Sequence, residues 1–122
     1  FSAPSGGTSI QHLLLGALEL SNKGIITKER IVELLSHNPA ILYKIKDRGF
    51  IREGYYADLV LIDPNKTQII NNDNLHYKCG WTAYAGIELC NSVSHTFING
   101  ELVYHEGKFN EDFRGKRLIF NR

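Results

Sequence analysis

The apolar residues of this chain change their spacing once, at Gly49. Before that point they recur at helical intervals, and after it they gather in short runs rich in β-branched residues. Ile10, Leu13, Leu14, Ala17 and Leu18 stand at i, i+3, i+4, i+7 and i+8, which predicts one apolar stripe on a helix of about 13 residues. Thr8 with Gln11 three positions on has the spacing of a capping box, and Lys23-Gly24 supplies a C-terminal stop. Thr27 opens a second helix whose buried face is Ile31, Leu34 and Leu35. Asn38-Pro39 ends it and starts a short third helix, with Pro39 at the first position, where its missing N–H costs nothing. Ala40, Leu42 and Ile45 are the apolar contacts expected of that helix.

Past Gly49, Ala57 to Asp63 reads as a strand closed by Pro64-Asn65, and Thr67 to Ile70 as a second strand. Residues 71–92 are rich in Asn, Gly and Tyr and show no period. A loop of that length in a compact domain is functional or is packed against something else. Val93 to Ile98 alternates as a strand, and Asn99-Gly100 is a two-residue hairpin signal that returns the chain through Glu101 to Tyr104 until Gly107. The tail from Asn110 is polar, and its Arg114, Lys116, Arg117 and Arg122 read as solvated charges. Helices followed by strands, in separate blocks, predict an α+β fold or parts of two structural units.

Bulk properties narrow the function class. The chain has 122 residues, 43% hydrophobic and 22% charged, with a net charge of +1. That balance gives no electrostatic reason to expect nucleic-acid or anionic-membrane partners. No apolar run approaches the roughly 18 residues of a membrane span. The start, Phe1 to Gly7, lacks the basic leader and apolar core of a signal peptide. With no Met anywhere, the expectation is that the native protein begins upstream. Cys79 and Cys90 fit neither a disulfide framework nor zinc-finger spacing, and read as free thiols in a reducing cytoplasm.

The chemistry-bearing residues are sparse. His12, His37, His76, His95 and His105 form no His-x-His and no i, i+4 pair, so no metal-ligand set is expected. Asp58 and Asp63 flank a strand at an odd separation, which places them on opposite faces and argues against a paired-carboxylate site. Ala3, Pro4, Ser5, Gly6, Gly7 and Thr8 put two glycines and a hydroxyl ahead of a helix. Free N–H groups and the helix dipole suit an anion there, and a plain flexible lead-in to the helix is the other reading.

Gly49-Phe50-Ile51-Arg52-Glu53-Gly54-Tyr55-Tyr56-Ala57-Asp58-Leu59-Val60-Leu61-Ile62-Asp63 resembles the G-x-I-x-x-G-x-x-A-D-L-V-hydrophobic-x-D segment of the amidohydrolase superfamily. Three further stretches, in order, resemble dihydroorotases. Ala3 to Gly7 is similar to their Pro/Gly loop after the last barrel strand, and His37-Asn38-Pro39-Ala40 to their N-P-A helix start. Tyr77-Lys78-Cys79-Gly80-Trp81-Thr82 with Gly86 is similar to a K-C-G-W-S-P-F-x-G loop, and Val93 to Gly107 to a V-x-x-T-x-x-x-G-x-x-V-Y-x-x-G ending. Thr82-Ala83-Tyr84-Ala85 departs from the family's Ser-Pro-Phe-Glu. Hydantoinases and allantoinases share the Gly49–Asp63 type of segment.

The resemblance implies a composite fragment. Residues 1–48 would be the terminal loop and helices of a (β/α)8 barrel, 49–110 strands of the accompanying small β-sandwich, and 111–122 a C-terminal tail. It implies a zinc-dependent, cytoplasmic hydrolase of pyrimidine biosynthesis that interconverts N-carbamoyl-L-aspartate and L-dihydroorotate. The metal ligands and the catalytic Asp would lie in the missing N-terminal part, so this chain would hold no catalytic residue and no metal. Its substrate-binding residues would be Ala3, Pro4, Ser5, Gly6 and Gly7. The partners implied are the small-molecule substrate and the rest of the same enzyme, and the pattern admits a homo-oligomer. Alone, the fragment would be inactive and would bind no zinc. The other readings are a cyclic amidohydrolase acting on hydantoin or allantoin, and a non-catalytic α+β interaction module.

Overall fold

The computed structural model describes residues 6–121. Helices occupy the first third and strands the rest, so the α+β expectation holds. A 3-10 turn, Ile10–His12, runs directly into α1, Leu13–Asn22. Together they match the predicted length. Gly24 (φ +70) and the bonds from Gly24 N–H to Ser21 O and Ile25 N–H to Leu20 O close the helix as expected.

Its start differs from the prediction. Thr8 and Gln11 form no capping box; both side chains reach across to the distant loop at 74–81. The buried positions are His12 and Leu15, while Ile10 is 94% exposed and Leu13 55%. The expected stripe is therefore only partly covered. The sheet side of this chain packs against the His12–Leu15 edge, and no element among the described residues covers the Ile10–Leu13 edge.

Thr27 caps α2, Lys28–Val32, its hydroxyl oxygen accepting from the Arg30 N–H at 3.2 Å. The expected break at Asn38-Pro39 does not occur. A π turn over Glu33–His37 joins α2 to α3, Asn38–Leu42, and the Asn38 N–H bonds back five residues to Glu33 O. The wider turn makes room for the Pro39 ring, which in a regular helix would collide with the carbonyl four residues before it.

Four strands form one antiparallel sheet in the order β1, β4, β5, β6. They are β1 Leu59–Asp63, β4 Ser92–Ile98, β5 Glu101–His105 and β6 Lys108–Phe109. β2 Gln68–Ile69 and β3 Glu88–Leu89 pair separately. Asn99 (φ 53) and Gly100 (φ +88) make the β4–β5 turn with positive φ at both positions, as the dipeptide predicts. The core is small: Leu15, Ile70 and Leu89, with Leu18, Ile62, Leu75, Tyr84 and Val93 packed on it.

Arg114, Lys116 and Arg117 of the tail are exposed, as expected, but the end of the tail is docked through its backbone. Lys46 N–H bonds to Ile119 O at 2.8 Å and Asn121 N–H to Lys44 O at 2.9 Å, with Ile45 bridged to Phe120. Backbone groups supply those bonds, so the polarity of the side chains did not reveal them.

Candidate functional site

Two places draw side chains from distant parts of the chain together. The first is the joint around Asp58. Arg48, almost buried, forms an ion pair with Asp58 Oδ2 and lies over the Tyr56 ring at 4.2 Å. Asp58 Oδ1 accepts from the Asn99 N–H at 2.8 Å and from Asn99 Nδ2 at 2.9 Å. Asn99 Oδ1 accepts from the Lys116 N–H at 2.6 Å. Both carboxylate oxygens of Asp58 are thus engaged by fixed donors, which leaves this residue no free role in proton transfer. Asp63 caps its own turn by accepting from the Asn65 N–H at 2.9 Å. The two carboxylates do not form a pair site, as their spacing predicts. At Gly49 (φ +80) an added Cβ would come within 2.4 Å of Ala40 Cβ and 2.8 Å of Ser36 O, so only glycine lets the chain leave the helices here.

The second place is the start of α1. Of the substrate-loop candidates, Ala3, Pro4 and Ser5 lie outside the described residues. Gly6 (φ +146) and Gly7 are exposed, and a Cβ at either would meet nothing within 4 Å among the described residues. Immediately after them, Thr8 Oγ1 donates to Trp81 O at 3.1 Å. Gln11 Nε2 donates to Asn74 O at 2.9 Å, and Gln11 Oε1 accepts from the His76 N–H at 2.8 Å. His12 is buried, its ring edge-on to Tyr77 (6.3 Å) and Tyr84 (5.8 Å). Burial, and then the neighbouring His76, hold its pKa below the ordinary imidazole value. The loop that has no sequence period is therefore fastened to the lead-in of the first helix. No short-range signal in the sequence announces these pairings, which span 63 to 73 positions.

The loop keeps a tight turn despite its departure from the family pattern. Thr82 is buried, and its hydroxyl accepts from the Tyr84 N–H at 3.1 Å, so the hydroxyl needed for a side-chain turn is present without the proline. Beside it opens a groove of about 910 Å³ lined by Gln68, His76, Tyr77, Ser92 and Tyr104 among others. His12 Nδ1, Tyr77 OH and Ser92 Oγ are buried without a hydrogen-bond partner among the described residues. Cys79 and Cys90 are free and exposed; Glu19, which accepts from the Cys90 N–H at 2.6 Å, raises the Cys90 thiol's pKa, so it is no ready nucleophile. Among the described residues no three His, Cys, Asp or Glu side chains come together to hold a metal ion. None of the helices described is long and apolar enough to cross a membrane.

Residues 6–103 match the sequence model of the Amidohydrolase family. This chain belongs to that family. Over 102 residues it is 37% identical to the dihydroorotase of Pyrococcus furiosus, covering 84% of this chain and 24% of that protein. It is 32% identical over 120 residues to the dihydroorotase of Methanosarcina mazei, covering 96% of this chain and 26% of that one. In fold it resembles a D-hydantoinase (dihydropyrimidinase) from Thermus sp., with a TM-score of 0.82 and 24% identity over 89% of this chain and 24% of that one. The chain spans about a quarter of the length of the curated relatives it matches. The amidohydrolase motif at Gly49–Asp63 falls on the structural joint, while the loop similar to that of dihydroorotases is bonded to Thr8, the residue after Gly7.

Proposed function

We propose that this chain is the C-terminal portion of a dihydroorotase, a cytoplasmic enzyme that interconverts N-carbamoyl-L-aspartate and L-dihydroorotate in pyrimidine synthesis. The observation that carries the reading is the 37% identity to a dihydroorotase over most of the chain, with the Tyr77–Trp81 loop docked at the first helix. Residues 1–48 then close a (β/α)8 barrel, and 49–110 belong to the small sandwich beside it. The rest of the polypeptide covers the 910 Å³ groove and supplies partners for His12, Tyr77 and Ser92. Zinc in the full-length enzyme would activate water and polarise the carbonyl. The described residues of this chain do not form a set that fits it, so their contribution is to place the substrate. In the family fold, loops at the C-terminal ends of barrel strands line the active site. Ala3 to Gly7 would occupy that position, with exposed N–H groups at Gly6 and Gly7 approaching the substrate carboxylate or ring amide.

The test is an assay of the full-length protein with dihydroorotate, carbamoyl-aspartate, hydantoin and allantoin. Ring opening of dihydroorotate is expected; turnover of hydantoin with dihydroorotate untouched would overturn the assignment. The 122-residue chain alone is expected to be inactive and zinc-free, and tightly held zinc on metal analysis would count against it. Gly6→Val in the full-length enzyme should cut turnover by about tenfold or more, because the φ of +146 suits glycine and a misplaced contact is costly. The strain of a β-branched residue at that φ should lower the unfolding midpoint too, but turnover should suffer more, since the added Cβ meets nothing within 4 Å among the described residues. An unchanged rate would remove the substrate role of the loop.

A further inference from the structure

We infer that Gln11 is a positioning residue: it latches the Asn74–Trp81 loop across the start of the first helix and thereby sets where the Gly6–Gly7 turn presents itself to substrate. The inference rests on the dihydroorotase reading above for the meaning of that turn.

The case begins with the chemistry of a primary amide. Gln11 gives an N–H to Asn74 O (2.9 Å) and takes an N–H from His76 (2.8 Å), two residues further along the same loop. That is the pattern by which one strand residue pairs with its neighbour, here performed by a side chain. A carboxylate of equal length could accept but not donate, and an apolar side chain could do neither. Thr8 adds a second point of attachment on Trp81 O at 3.1 Å, three residues earlier. Between the two, buried His12 fills the space against Tyr77 and Tyr84.

The placing of Gly6 and Gly7 needs such an anchor. Both are exposed, and among the described residues nothing lies within 4 Å of a Cβ built at either. Its fixed flank is Thr8 to His12, and that flank is fastened by the latch. Loosening the latch moves that segment without touching the groups that carry out the reaction, so substrate binding weakens while the chemical step is kept.

The test uses the full-length enzyme. Gln11→Ala and Gln11→Glu are assayed for dihydroorotate turnover and for hydrogen–deuterium exchange of the peptide covering residues 74–81. The expected result is a KM raised about tenfold with kcat within about twofold, and exchange of that peptide about tenfold faster. The carboxylate variant keeps length and acceptor, so it carries the test should the alanine variant not fold. Faster exchange with KM unmoved would overturn the inference, because the contact would then hold the loop and nothing more. Exchange unmoved would overturn it outright. If the wild-type enzyme leaves dihydroorotate untouched, the functional reading fails, and the exchange measurement still decides whether the latch exists.

Discussion

The joint at Gly49–Asp58 and the loop face at Gly6–Trp81 are held in opposite ways. At the joint, a glycine packs against Ala40 and Ser36, a nearly buried arginine pairs with Asp58, Asn99 ties the hairpin to the same carboxylate, and the Asn99 side-chain oxygen takes the tail's Lys116 N–H. At the loop face, three side-chain bonds and one buried histidine join two segments beside the small core that Leu15 shares with Leu75 and Tyr84. The difference separates two kinds of motif. The Gly49–Asp63 segment, the stronger family signature, is a structural joint whose acid is fully engaged. In the weaker Ala3–Gly7 stretch, the described residues Gly6 and Gly7 are exposed, as the proposed binding role requires.

The joint should break hardest at Gly49. Gly49→Ala puts a methyl into Ala40 and Ser36 at a φ of +80, and should cost about 3 kcal/mol, read as a lower urea midpoint of the full-length protein. A variant as stable as wild type would show that the joint is loose. Next comes Asp58→Ala, which strands the Arg48 guanidinium; the carboxylate side chain is 32% exposed, so the loss should be nearer about 2 kcal/mol than a fully buried pair would give. Asp63→Ala, by contrast, removes only an exposed turn cap and should cost about 0.5 kcal/mol. Equal effects from the two aspartates would erase the distinction drawn between joint and turn.

The loop face should respond to pH instead. His12 has a folded-state pKa below its ordinary value of 6.5, so the unfolded chain binds the proton more readily than the folded one. The stability it contributes is full above that value and is lost as pH falls through the lowered folded one. His76 is the charged neighbour that adds to the effect. Protection of the 74–81 peptide, corrected for the intrinsic slowing of amide exchange in acid, should therefore fall on acidification below about pH 6.5, and His12→Phe should flatten that response. A flat wild-type profile would mean that the histidine is not confined as its burial indicates.

Much of this was legible in the sequence, and the particular elements show why. The helix of residues 10–22, the Thr27 cap, the Asn99-Gly100 hairpin and the Gly54 turn (φ +82) each depend on neighbours within a few positions, so local residue types carried them. The reading failed where a distant segment outbid a local one. Thr8 and Gln11 had the spacing of a capping box but found partners in the loop, and Pro39 was absorbed by a π turn instead of ending a helix. The role of Asp58 was likewise out of reach, because Asn99 is 41 positions away.

What the sequence determined by itself was the order and kind of the elements, the positions that only glycine can fill, and the family, since all of these rest on residue type and short spacing. What only the tertiary structure decided was which of those residues meet. The latch of Gln11 on the loop, the burial of His12 and the docking of the tail on Lys44–Lys46 all join segments far apart in the chain. Such contacts are chosen by the closing of the fold, where a polar group takes whichever partner the packing brings near, and no local pattern records that choice.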